Sequence, residues 1–178
     1  MKSLYIHIPF CKSICSYCDF AKMFYNENLA LSYLDELSNE VNNNYKQDML
    51  ETIYIGGGTP SILSKKELNK LFSITNKLNI EPNYEFTIEA NIADINEEFL
   101  SLCKSNKVNR LSIGIETIND KFLPQNNENI LKRSIDKLLE IVFNPLVEND
   151  AFKEEYVKQE KENIKRIIEG KAANSNGF

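Results

Sequence analysis

The chain has 178 residues, enough for one domain with a real core, or for one domain and a fragment. Its 21 Lys and Arg against 26 Asp and Glu give a formal net charge of −5, which disfavours a nucleic-acid partner. No apolar stretch approaches the ~20 residues a membrane helix needs, and Met1-Lys2-Ser3-Leu4 lacks the apolar region of a signal peptide, so the expectation is a cytoplasmic protein with no integral membrane segment.

Leu4 to Ile8 reads as a first strand, with His7 turned away from Ile6 and Ile8 by the two-residue period. The segment that follows, Pro9-Phe10-Cys11-Lys12-Ser13-Ile14-Cys15-Ser16-Tyr17-Cys18-Asp19-Phe20, holds three of the four cysteines in the order C-x3-C-x2-C. Three thiolates on one loop can converge on one metal centre. A closed [4Fe–4S] cluster takes four Cys ligands, so a loop supplying three leaves one iron open to an outside ligand. The rival reading is a structural zinc held by the three cysteines and His7. A disulfide is disfavoured, since cytosolic thiols stay reduced.

Leu29 to about Asn44 reads as a helix with Leu31, Leu34, Leu37 and Val41 on one face. Thr52-Ile53-Tyr54-Ile55 is the next strand and stops at Gly56-Gly57-Gly58. Glycines there let a backbone approach a ligand closely and present its N–H and C=O groups. No Gly-Lys-Ser/Thr follows, which excludes a Walker phosphate loop. Ser64, with Glu67 three residues on, predicts a capping box for a helix through Leu68, Leu71, Phe72 and Ile74. Residues 85–90 read as a third strand, Ile95 to about Ser105 as a helix carrying a buried Cys103, and residues 110–115 as a fourth strand. Strands separated by single amphipathic helices predict βαβ units and a parallel sheet. The cysteine loop, the glycines, Glu89 and Glu116 each fall at the carboxyl end of a strand, where barrels of this kind build their sites.

The cysteine spacing on a loop leaving an apolar strand resembles the radical S-adenosylmethionine (SAM) superfamily. The run from Leu4 to Cys11 narrows the resemblance to the oxygen-independent coproporphyrinogen III oxidase-like branch. The oxidases carry a further cysteine two residues after the third; here that position is Phe20, which looks like the haem chaperone HemW family. The resemblance implies an α/β fold, an incomplete radical SAM (β/α) barrel with about four parallel strands. It implies a [4Fe–4S] cluster on Cys11, Cys15 and Cys18, with SAM chelating the open iron and yielding a 5′-deoxyadenosyl radical. By the same resemblance Tyr5, Tyr17, Gly57, Gly58, Thr59, Glu89 and Glu116 contact SAM, Tyr17 at the adenine and Glu89 at the ribose. Gly56-Gly57-Gly58-Thr59-Pro60 matches the family's SAM-binding run. Two departures stand out: Ile92 replaces the usual Pro, and Ile115-Glu116 replaces the usual Val-Gln, where Glu only accepts hydrogen bonds. Haem or porphyrin, together with an electron donor for the cluster, are the implied partners.

The resemblance runs to about Phe122, giving a partial radical SAM core at 1–122 and a helical extension at 123–178. Ser134 to Phe143 and Asp150 to Glu169 read as helices, the second with Phe152, Tyr156, Ile164, Ile167 and Ile168 on one face. Residues 124–170 look like an internal helical piece of an insulinase-like zinc peptidase, without any His-x-x-Glu-His, so this part reads as a genuine extension or as a fusion or truncation junction. The functions in competition are a HemW-like haem carrier, an oxygen-independent coproporphyrinogen III oxidase, a non-catalytic Cys3His zinc module and an inactive fusion fragment.

Overall fold

Four strands, Ser3–Ile8, Leu50–Gly57, Ile80–Asn91 and Arg110–Gly114, make one parallel sheet in that order in the computed structural model of the chain. The structure describes residues 2–114 and Glu162. Glu116, the helices expected beyond residue 122 and the junction all lie outside the described residues. Residues 2–114 belong to a compact unit spanning Met1–Gly114.

β1 is Ser3–Ile8, β2 Phe10–Cys11, β3 Met23–Phe24, α1 Glu27–Asn44 and β4 Leu50–Gly57. They are followed by α2 Lys65–Thr75, β5 Ile80–Asn91, α3 Glu97–Ser105 and β6 Arg110–Gly114. The partial α/β barrel expected from the sequence is the fold observed, with each sheet strand separated from the next by one helix.

Period two divides each strand between two environments. Ile6, Ile8, Ile53, Ile55, Phe86, Ile88 and Ala90 are buried, as are Leu34 and Leu37 of α1, Leu68, Leu71 and Phe72 of α2, and Phe99 and Cys103 of α3. These residues form the core between sheet and helices, and burying each large one is worth about 1.5–3 kcal/mol. The intervening positions, among them Tyr5, His7, Tyr54, Gly56, Glu89 and Ser112, lie on the sheet's other face. Register lines them up in rows: Tyr5 stands opposite Tyr54, His7 opposite Gly56, and Glu89 opposite Ser112.

Local chemistry sets the helix starts. Asn26 caps α1 by accepting from the Leu29 N–H at 3.1 Å, so the helix begins at Glu27, two residues earlier than the apolar periodicity indicated. The capping box at α2 forms as predicted, with the Glu67 carboxylate accepting from the Ser64 N–H at 2.6 Å and the Ser64 hydroxyl accepting from the Glu67 N–H at 3.4 Å. Asn96 caps α3 through the Phe99 N–H at 2.9 Å. Among the described residues no helix is long and apolar enough to cross a membrane.

Candidate cofactor site

The cysteine loop leaves the sheet at Pro9 and is closed at its base by a feature absent from the sequence reading. β2 and β3 pair in parallel, Phe10 with Met23 and Cys11 with Phe24. The Met23 N–H donates to the Pro9 carbonyl at 2.7 Å and the Tyr25 N–H to the Cys11 carbonyl at 3.0 Å. Residues 12–22 thus form a closed loop at the carboxyl end of β1.

Three side chains tie this loop to the sheet and helices. The His7 Nε2 faces the Ala21 carbonyl at 2.7 Å, and its Nδ1 faces the Tyr5 hydroxyl at 3.0 Å. A carbonyl only accepts, so in the neutral ring Nε2 carries the proton and Nδ1 accepts from Tyr5. Lys12, next to Cys11, pairs with Asp94, whose side chain is largely buried and also accepts from the Ser61 hydroxyl at 3.2 Å. At the loop's exit the Tyr25 hydroxyl donates to both oxygens of fully buried Glu67, at 2.9 and 3.2 Å. Burial first, and then the bond to Glu67, pushes the Tyr25 phenol up to about 12, so it stays a donor at neutral pH.

That last bond makes a quantitative expectation. Tyr25→Phe removes one donor from a buried carboxylate and leaves the ring packed edge-on against Phe10. The full chain should lose about 1–3 kcal/mol in urea unfolding, the cost of an unsatisfied buried acceptor. An unchanged unfolding midpoint would mean that Glu67 is fully satisfied by its capping box.

The glycine segment follows β4 and packs against the base of the same loop. The Gly58 N–H donates to the Ile8 carbonyl and the Thr59 N–H to the Phe10 carbonyl, both at 2.8 Å, while the Gly57 N–H donates to Glu89 at 3.0 Å. The N–H groups of Gly57, Gly58 and Thr59 therefore all have protein partners. A Cβ on Gly58 would strike the Ile8–Phe10 backbone at 2.7–2.9 Å. Gly57 sits at φ +117°, a region L residues rarely adopt, and a Cβ there would overlap the His7 ring.

Glu89 closes the group. Its carboxylate accepts from the Tyr54 hydroxyl at 2.6 Å and from the Gly57 N–H at 3.0 Å. The Tyr5 and Tyr54 rings stack with centroids 6.0 Å apart and planes 25° apart. Burial and the nearby Glu89 charge raise the Tyr5 phenol above its ordinary range, and burial with the Glu89 hydrogen bond does the same for Tyr54. Two hydrogen-bonded groups, Tyr5–His7 and Tyr54–Glu89–Gly57, thus meet through the Tyr5–Tyr54 stack; Tyr5, Gly57 and Glu89 were named from the sequence, Tyr54 and His7 are added. Tyr17 stands exposed on the loop. Tyr54 was legible only as the residue that alternation places opposite Ile53 and Ile55.

The donor set fits an iron–sulfur cluster. All the cysteines are free thiols, and the three on the loop are separate from Cys103, whose burial pushes its thiol up to about 12 and keeps it protonated. Cys11 is buried and accepts from the Thr59 hydroxyl at 3.6 Å, so the glycine segment touches the first sulfur. Among the described residues no three His, Cys, Asp or Glu groups stand in a metal-holding arrangement as they are. Ligation would draw Cys15 and Cys18 together with Cys11, as metal binding commonly orders its own site. In the zinc alternative His7 would have to give up the Tyr5 or the Ala21 bond to serve as the fourth ligand. The glycines serve the packing of this site directly, since a Cβ at Gly56, Gly57 or Gly58 would collide with Tyr54 and Glu89, with the His7 ring, or with the Ile8–Phe10 backbone.

The sequence profile described as the radical SAM superfamily matches residues 5–144. The chain belongs to the radical SAM superfamily. The matched span runs past residue 122, into the stretch read as a helical extension. The chain is 45% identical over 129 residues to the haem chaperone HemW of Bacillus subtilis, covering 69% of this chain and 34% of that one. It is 43% identical over 122 residues to HemW of Lactococcus lactis, covering 68% and 32%. It is also 34% identical over 125 residues to anaerobilin synthase of Escherichia coli O157:H7, covering 67% and 28%. Among solved structures, the radical SAM enzyme coproporphyrinogen III oxidase (HemN) of Escherichia coli superposes with a TM-score of 0.64 at 25% identity, covering 78% of this chain and 32% of that one. The chain spans about a third of the length of these relatives.

Proposed function

We propose that this chain is the cluster- and SAM-binding portion of a HemW-type radical SAM protein that serves haem trafficking in the cytoplasm. The observation that carries the reading is the convergence, at one end of one parallel sheet, of the cysteine loop, the glycine segment and Glu89. In this reading Cys11, Cys15 and Cys18 hold a [4Fe–4S] cluster with one iron left for SAM. Gly57, Gly58 and Thr59 line the methionyl portion through carbonyls and the Thr59 side chain, since their N–H groups are bonded within the protein. Tyr5 and Tyr17 flank the nucleoside, and Glu89 faces the ribose. When bound, the cluster and SAM supply one-electron chemistry, with the electron coming from an external donor. The chain's own residues orient the ligands and restrict water.

Haem as the cargo is supported by the names of the HemW relatives and by Phe20 at the position where the oxidases carry a cysteine. Oxidation of coproporphyrinogen III is the second reading, supported by the likeness to HemN. The test is anaerobic reconstitution of the full chain with iron and sulfide, followed by titration with SAM and with haemin. Broad absorption at the blue edge of the visible, SAM retention, a shifted haemin band and no coproporphyrinogen turnover are expected. A chain that takes up zinc in preference to iron and sulfide, and retains no SAM, would overturn the proposal.

A further inference from the structure

We propose that Tyr54 and Gly56 are positioning residues that fix the Glu89 carboxylate for a vicinal diol. The inference rests on the reading of this cradle as a SAM site and goes beyond it, since neither residue is expected to touch the ligand.

A carboxylate has two oxygens and about four lone-pair directions. In Glu89 each oxygen already receives one donor from the protein: Tyr54 reaches Oε1 at 2.6 Å and the Gly57 N–H reaches Oε2 at 3.0 Å. Two fixed donors, one per oxygen, stop rotation of the carboxylate about its terminal torsion. They leave one acceptor direction on each oxygen, the pattern that two adjacent hydroxyl groups require. With the Tyr54 bond removed, only the Gly57 N–H orients the group.

The Tyr54 donor is itself held. Its ring stacks on Tyr5 at 6.0 Å, and Tyr5 is bonded to His7 at 3.0 Å. Gly56 makes the arrangement sterically feasible. A Cβ there would lie 2.7 Å from Tyr54 Cε1, 2.8 Å from Glu89 Cδ and 2.9 Å from Glu89 Oε2. Any side chain at residue 56 would push apart the two groups whose bond sets the carboxylate. Gly56 is thus needed for Glu89 rather than for the ligand's backbone contact, a different role from those of Gly57 and Gly58.

The experiment uses the full chain reconstituted anaerobically with iron and sulfide, and equilibrium binding of SAM to wild type, Tyr54→Phe, Glu89→Ala and the double variant. Tyr54→Phe keeps the ring and deletes only the donor. It should weaken SAM roughly tenfold at unchanged iron content, the loss expected when a charge-assisted bond no longer orients a contact group. In the Glu89→Ala background the same change should have no further effect. A SAM analogue lacking both ribose hydroxyls should bind wild type and Tyr54→Phe equally, which a general packing defect would not produce. Equal SAM affinity of wild type and Tyr54→Phe overturns the inference and leaves the SAM reading standing. An additive loss in the double variant overturns it too. Failure of the loaded wild type to bind SAM at all removes both.

Discussion

Replacing Gly57 with valine is expected to abolish measurable SAM binding and to destabilise the chain by at least about 2 kcal/mol. The backbone at Gly57 has φ +117°, where a β-branched residue is strained by roughly 1–3 kcal/mol. Its side chain would also enter the space of the His7 ring, and such overpacking adds about 1–3 kcal/mol. The damage does not stay local. His7 bonds the Ala21 carbonyl of the cysteine loop and the Tyr5 hydroxyl, so a displaced ring disturbs both the loop and a residue read as a SAM contact. The Gly57 N–H also orients Glu89. Urea unfolding of the full chain and equilibrium dialysis with SAM are the two measurements. Gly57→Ala combined with His7→Ala separates the causes, because it relieves the overlap and keeps the strained φ; part of the stability should return and part should not. A valine variant with normal iron content and normal SAM affinity would remove the glycine segment from the site.

Much of the fold was readable because its signals are local. The capping box of Ser64 and Glu67 needs only four residues in a row, and it forms as read. The alternation of Thr52-Ile53-Tyr54-Ile55 fixes which side chains meet the helices, and Ile53 and Ile55 are buried accordingly. Strand ends were less readable. β5 begins at Ile80 and passes through Pro82, well before the β-rich run at residues 85–90, because tertiary pairing with β4 extends it past its local propensity.

The site was legible as a list of residues and not as a network. Spacing and resemblance named Tyr5, Gly57 and Glu89, but nothing in the sequence places Glu89 on the Gly57 N–H or Tyr54 on Glu89. Those contacts depend on the register of β1, β4 and β5, which is set across more than thirty residues of chain. The same holds for Lys12 with Asp94 and Tyr25 with Glu67. Charges and phenols are too common along a chain to be paired without a fold. The protein partners of the glycine segment's N–H groups were hidden for the same reason. β2 and the end of β1 lie against the glycine segment and take up its Gly58 and Thr59 donors.

The largest effect of all is expected at the cysteines. Cys11→Ala, Cys15→Ala and Cys18→Ala should each reduce iron retained after anaerobic reconstitution to background, with loss of the broad absorption, while Cys103→Ala keeps both. The asymmetry follows from the chemistry of the four thiols. Cys103 is buried on α3 with its thiol pushed up to about 12, so it offers no thiolate, and its loss should cost only packing. The other three share one loop, closed at its base by the β2–β3 pair and tied down through His7, Lys12 and Tyr25. Metal binding must finish what these ties begin, because the three sulfurs are not yet gathered into a metal-holding arrangement. A loop with two ligands neither satisfies the irons nor repays the ordering of residues 12–22. Full iron retention by Cys15→Ala or Cys18→Ala would sink the three-ligand centre. Uptake of zinc by the wild type, lost on His7→Ala, would restore the zinc module, at the cost of the two bonds that His7 makes here.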